Sequence, residues 1–378
     1  CDVTTLARLG VGSAQMAPGN GSQEPMKAQL TVVICTNRPA RYLLGTLEAL
    51  HQQTVRDQLE LIVVDDGAPE PLGPLCDKYG ANLLRHEHNR GLAAARNTGW
   101  RAASAPIVAF TDDDCRPQRG WAAAVLDAYE DEHVDAAGGS VVPTGRQNLL
   151  GRYYAYSNPI APLEAEIAQG SSIAYRAKLY LRANLTVGTR SAKRRVASLP
   201  GASMSVRKSV LERLGGFDER IHFGGEDEDL FYRLRSGTPD AQVVFDPNAV
   251  IEHDFDANLG DALRRARSYG RGSARNFLRH DDWGPTVFPV PLLALSLAVA
   301  GLRHPRLLAV ALALPPLAFL RWSLLAARLR RPGALVFAYL QLLQEAAADL
   351  GFAQGYLRFR RDFRKARGAE ERAESASL

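Results

Sequence analysis

Three consecutive carboxylates, Asp112, Asp113 and Asp114, end the apolar run Val108-Ala-Phe-Thr111. Adjacent acids at the end of a buried strand repel one another unless a cation or hydrogen-bond donors compensate. A divalent cation carrying a diphosphate would supply that compensation, and hard carboxylate oxygens suit Mg²⁺ or Mn²⁺. A second acidic pair, Asp65 and Asp66, ends the run Leu61-Ile-Val-Val64. One acidic pair at a strand end serves as a turn or helix cap more often than as a site. A third group, Glu226-Asp227-Glu228-Asp229, follows Gly224 and Gly225 and opens a helical pattern containing Leu230, Phe231 and Leu234. The glycines would let the backbone approach a ligand and aim Glu226 and Asp227 into a pocket. Equally, acids in a first turn complement the helix dipole, and Asp229 stands at pairing distance from Arg233. His253 closes a last apolar run, where a lone imidazole is either packed or a ligand.

The elements that must position these groups follow from periodicity. Residues 30–36 and 59–64 are β-branched runs, and the segment between them carries Leu43, Leu44, Leu47 and Leu50 at helical spacing. Strand, helix and strand with continuous apolar runs predict a parallel sheet covered on both faces, with ligands beyond the carboxyl ends of its strands. A weak strand at 82–86, an Ala-rich helix at 91–103 and a strand at 107–111 repeat the pattern, so two acidic clusters converge on one rim. A helix at 121–132 and a strand at 134–142 kinked at Gly138-Gly139 come next. Residues 145–195 show no clean period and read either as a mobile loop over an acceptor groove or as a plain connection. Strands at 199–206, 241–245 and 249–254 and a helix at 208–214 complete this part.

Taken in order, these pieces resemble family 2 glycosyltransferases. Val33-Ile-Cys-Thr-Asn-Arg-Pro39, Leu61-Ile-Val-Val-Asp-Asp-Gly67, Asn89-Arg-Gly-Leu-Ala-Ala-Ala-Arg-Asn-Thr-Gly99 and Phe110-Thr-Asp-Asp-Asp114 look like the family's first strand, nucleotide strand, following helix and DxD motif. Gly201-Ala-Ser-Met-Ser-Val-Arg207, Gly216-Phe-Asp218 and Gly225-Glu-Asp-Glu-Asp-Leu230 extend the likeness, the last resembling its ED motif. The resemblance implies the inverting GT-A fold: an α/β, Rossmann-like, mostly parallel sheet flanked by helices, here with a helical, partly hydrophobic C-terminal region. It implies a sugar transfer from a nucleotide-sugar donor, UDP-, GDP- or dTDP-linked, to a hydroxyl of a glycan or lipid-linked acceptor. By the same resemblance Asp227 is the catalytic base. Thr36, Arg38, Asp65, Asp66, Arg96, Asp112 and Asp113 bind the nucleotide sugar, Asp112, Asp114 and His253 hold Mg²⁺ or Mn²⁺, and Gly225 and Glu226 face the acceptor. A non-catalytic subunit of this fold, binding nucleotide or glycan in a polysaccharide assembly, is the other reading.

Chain-wide properties fit this frame. The 378 residues are 46% hydrophobic and 23% charged, enough for one large domain and an appendage. The divisions expected are a flexible leader over 1–28, the transferase domain over 29–256 and a helical tail over 257–378. Cys1, Cys35, Cys76 and Cys115 have no metal-finger spacing and read as free thiols in a reducing setting. The net charge of +5 conceals a crowding of arginines after Arg264. A basic interfacial helix over 262–279, broken near Gly270 and Gly272, leads into the uncharged runs 285–302 and 307–320. Prolines within those runs favour a re-entrant hairpin over two spans. An amphipathic segment at 335–357 and a charged, frayed end at 358–377 follow. Arg303, Arg306, Arg321, Arg328, Arg330 and Arg331 would hold the tail at an anionic surface. The tail is therefore expected to place a cytosolic catalytic domain at the cytoplasmic face of a membrane, or else to form a homo-oligomer. No GxGxxG follows the first strand and no nucleic-acid module is present, which argues against a dehydrogenase and against nucleic acid as a partner.

Overall fold

A computed structural model describes residues 28–145, 148–158, 160–186, 192–221, 224–255, 258–280 and 287–376. All but the last residue of the expected leader lies outside them. The first half of the sheet is built from β1 (Leu30–Thr36), α1 (Ala40–His51), β2 (Leu59–Asp65), α2 (Gly73–Tyr79), β3 (Asn82–Arg85), α3 (Leu92–Ala102) and β4 (Ile107–Asp112). Its four strands are parallel, in the order β3-β2-β1-β4. Register sets Asp65 opposite Thr36 and Asp112 opposite Cys35, so the predicted convergence on one rim is present. The β-branched runs bury both faces: Leu30, Val32 and Ile34 pack against α1, and Val33 packs with Ala93 and Trp100 of α3.

The second half contains β5 (Cys115–Pro117), α4 (Trp121–Ala128), β6 (Val134–Pro143), α5 (Leu149–Tyr154), β7 (Leu163–Glu164), α6 (Ile173–Leu185), β8 (Arg194–Ser198), β9 (Met204–Arg207), α7 (Lys208–Leu214), α8 (Glu226–Gly237) and β10 (Gln242–His253). The sheet continues β4-β9-β6-β10-β8-β7, with β9 antiparallel to both its neighbours and β5 antiparallel to β10. Three sequence expectations change. Gly138 and Gly139 do not kink β6. A Cβ there would stand 2.2 Å from the Ser203 carbonyl oxygen and 1.9 Å from that of Ala249, so glycine is needed for close packing. The irregularity sits instead in β10, where two expected strands are one, with a register shift between Asp246 and Ile251. Residues 145–195 carry two α-helices whose apolar faces are narrow, which is why no period was visible.

The C-terminal region is helical: α9 (Leu259–Arg279), α10 (Pro289–Gly301), α11 (Pro305–Ala318), α12 (Leu320–Leu329) and α13 (Val336–Ala376). The expected break in the basic helix is absent, since α9 is continuous over 21 residues. Its glycines are contacts: a Cβ at Gly270 would lie 2.0 Å from the Ala348 carbonyl oxygen, and one at Gly351 would lie 2.0 Å from that of Arg267. Helices α9 and α13 therefore touch backbone to backbone. The charged end expected to fray is helical to Ala376.

Candidate functional site

At the carboxyl rim of the parallel strands lies a cleft of about 690 Å³, lined among others by Thr36, Arg38, Asp66, Asp112, Asp113 and His253. Asp66 is held by three donors: its Oδ1 accepts from the Arg90 amide at 2.8 Å and faces His86 Nδ1 at 2.7 Å, and its Oδ2 accepts from the Gly91 amide at 2.9 Å. Those amides lie in the two residues just before α3, so the carboxylate sits close to a helix N-terminus. Asp113 is buried and takes hydrogen bonds from the Thr36 hydroxyl and from Arg38 Nε, the latter at 3.0 Å. Arg38 also reaches Asp114 Oδ2 at 2.9 Å, so its guanidinium balances part of the triplet's charge.

Asp112, Asp114, Cys115 and His253 each offer a ligand atom within 4.8 Å of the others. Strand β4 and the β5–β10 pairing bring them together: His253 is registered opposite Cys115, and its Nε2 lies 3.5 Å from Asp114 Oδ1. His253 Nδ1 is buried without a hydrogen-bond partner among the described residues. Burial pushes the Cys115 thiol well above its usual range, and its soft sulfur matches a hard cation less well than the neighbouring oxygens. Two carboxylates and one imidazole remain, a donor set that fits Mn²⁺ or Mg²⁺. Burial also raises the Asp112 carboxyl, with Arg96 opposing the rise.

Five expected site residues, Asp65, Arg96, Gly225, Glu226 and Asp227, are not among the residues that line this cleft or its neighbouring cavity. Asp65 is fully buried, and its Oδ1 accepts from the Gly67 and Ala68 amides at 3.1 and 2.6 Å, closing the turn after β2. Arg96 lies beneath the cleft, donating to Glu226 Oε1 at 2.5 Å and standing 3.6 Å from Asp112 Oδ1. Glu226 is buried against Arg96. Gly225 caps α8 at φ +86°, under Asn276 of α9, whose Nδ2 donates to its carbonyl oxygen at 3.0 Å. Arg96 thus ties the acidic start of α8 to the aspartate triplet, a link that needs the fold to be seen.

Asp227 accepts from the Gly201 amide and from the Glu228 amide, both at 2.8 Å. Burial pushes its carboxyl up to about 6, with Glu226 adding to the rise and Arg96 opposing it. Beyond it a second cavity, of about 870 Å³, runs between α8, α6, α9 and α13. Glu228 faces this cavity, and burial pushes its carboxyl up to about 7. Glu228 was in view in the sequence only as one acid of four. Tyr269 and Arg265 of α9 border both cavities, so the two meet at that helix.

The description "Glycosyl transferase family 2" matches residues 31–215. Similar curated proteins include the pre-mycofactocin glycosyltransferase of Mycobacterium tuberculosis, 32% identical over 286 residues, which are 73% of this chain and 53% of the relative. The chain therefore spans about half the length of that relative. Glycosyltransferase AglE of Haloferax volcanii is 26% identical over 249 residues, 64% of this chain and 72% of the relative. Among solved structures, a mannosyltransferase from Pyrobaculum calidifontis, in complex with GDP-Man and Mn²⁺, aligns over 88% of each chain with a TM-score of 0.51 and 22% identity. That likeness concerns the fold.

Proposed function

We propose that the chain, whose residues 31–215 match the description "Glycosyl transferase family 2", moves a sugar from a nucleotide-sugar donor to a hydroxyl acceptor in an inverting, metal-dependent reaction. The observation that carries this reading is the meeting of Asp112, Asp114 and His253 within 4.8 Å in a cleft that Asp66 and Thr36 also line. In it, Asp112, Asp114 and His253 hold Mg²⁺ or Mn²⁺, which when bound offsets the negative charge that builds on the diphosphate leaving group. Asp66 and Thr36 seat the nucleotide. Asp227 takes the proton from the acceptor hydroxyl, whose oxygen bonds to the anomeric carbon as the nucleoside diphosphate departs with the electron pair of the broken bond. The acceptor is a lipid-linked or cell-surface glycan, and the tail keeps the domain at the cytoplasmic face of a membrane. The exposed leucines of α10 and α11 support contact with a membrane.

The testing experiment is calorimetric titration of UDP-, GDP- and dTDP-sugars with and without Mn²⁺ or Mg²⁺, followed by an assay for hydrolysis. One nucleotide class should bind with metal and lose at least tenfold in affinity without it, and D114N should abolish the metal effect. Metal-independent binding unchanged in D114N would overturn the assignment. Tight binding with no hydrolysis or transfer under any acceptor would favour the non-catalytic subunit.

A further inference from the structure

The second cavity, at about 870 Å³, falls within the range of small-molecule sites. Its wall is amphiphilic. Tyr153, Tyr232, Phe288 and Ile167 supply apolar surface, while Arg176 and Arg321 bring guanidinium groups from α6 and α12. Arg321 Nη2 donates to Gln341 Oε1 at 3.0 Å, but its Nε has no partner, nor does Arg176 Nε, although both atoms are buried. Among the described residues neither arginine lies within salt-bridge distance of a carboxylate. Ser273 Oγ, on the α9 side of the same cavity, is likewise buried without a partner.

The carboxylates in this wall offset the arginine charge only in part, Glu345 acting on Arg321 at a distance. Glu345 accepts from Gln341 Nε2 and from the Tyr180 hydroxyl, both at 2.7 Å, and burial pushes it up to about 7. Glu228 is also raised to about 7. Near neutral pH both are only partly ionised, whereas the guanidiniums are fully charged. A buried guanidinium N–H without an acceptor is unfavourable, and an oxyanion that meets the Nε edge of the half-buried Arg176 or Arg321 would supply one.

We propose that this cavity binds an amphiphile with an anionic head group, phosphate or carboxylate, on an apolar body, the anion seated at Arg176 and Arg321 and the apolar part against Tyr153, Tyr232 and Phe288. Its identity as the acceptor rests on the transferase reading above. The cavity meets the donor cleft at Tyr269 and Arg265, and Glu228 next to Asp227 faces it. An acceptor anchored there by its anion would present a hydroxyl toward the start of α8.

The test is calorimetric titration of the full chain, without donor, with octyl phosphate, octanoate and octanol. The result expected is binding of at least one anion tenfold or more tighter than octanol, the tighter anion identifying the head group. R176Q should weaken that binding fivefold or more, and R176Q/R321Q should weaken it further. Because Arg321 supports Gln341, the single Arg176 variant is decisive; its melting temperature and nucleotide affinity should match those of the parent. Octanol binding as tightly as both anions, or anion binding unchanged in R176Q, would overturn the proposal. Anion binding in a chain that binds no nucleotide sugar would leave this proposal standing and remove the transferase reading instead.

Discussion

Asp227 and Glu228 are adjacent carboxyls with different surroundings, and that difference decides which can act as base. Asp227 is oriented by two backbone amides and is raised to about 6; Glu228 faces the second cavity and is raised to about 7. A base works in its unprotonated form, so kcat/KM should rise with pH through about 6 if Asp227 is the base and through about 7 if Glu228 is. A raised carboxyl binds its proton more tightly in the folded state. Its stabilising contribution is therefore present below the ordinary Asp value and lost as pH rises through about 6. D227N should lower kcat by roughly a hundredfold or more and leave nucleotide affinity within about twofold. Retained turnover in D227N with loss in E228Q would transfer the role to Glu228. The acids that line the cleft are legible in the sequence because charge at the end of an apolar run is conspicuous. Sequence alone does not separate Asp65 from Asp66, since the amides of Gly67 and Ala68 that bind Asp65 belong to a turn whose geometry no residue type reveals. Nor does the sequence show the partner of Arg96, since Glu226 is 130 positions away.

The elements that read correctly are those whose apolar pattern is dictated by the sheet. Strands β1, β2 and β4 are covered on both faces, so their runs are continuous and their ends unambiguous. Helix α6 buries only Asn184 fully, and β5 is three residues long; neither leaves a pattern to detect. Glycine misled in α9 because a glycine pair in a basic stretch resembles a break, while its actual function is contact with α13. This yields a test at the scale of the helix pair. G270A places a Cβ 2.0 Å from a backbone oxygen that cannot move without shifting α13. The overpacking should destabilise by about 1–3 kcal/mol, read as a lower denaturant midpoint at unchanged m-value. G333A, where nothing lies within 4 Å of the added carbon, should be near neutral. Equal stability of G270A and the parent would show that α9 and α13 are farther apart than described.

At the scale of the molecule, the sheet and the tail differ in what they leave exposed. Leu295 and Val299 of α10 and Leu302 just after it are 62%, 59% and 83% exposed, and Leu312 and Leu317 of α11 are 60% and 71% exposed. No single helix among the described residues is long and apolar enough to cross a membrane; α11 and α12 meet the length and composition together but bend by 70° between them. An apolar surface of this kind, flanked by Arg303, Arg306, Arg328, Arg330 and Arg331, matches a bilayer with anionic head groups better than it matches water. Each leucine transferred from water gains about 1.5–3 kcal/mol when fully buried, so the apolar share of binding should survive salt while the arginine share is screened. The chain should therefore cosediment with vesicles of mixed neutral and anionic phospholipid. Raising the salt to molar concentration should weaken the association without abolishing it. Exchanging Leu295, Leu302 and Leu317 for serine should make it fully salt-sensitive, with the nucleotide cleft unaffected. Complete release of the parent chain by salt alone would exclude insertion of these helices. A concentration-dependent dimer in sedimentation that dissociates in the serine variant would assign the same face to a second copy of the chain.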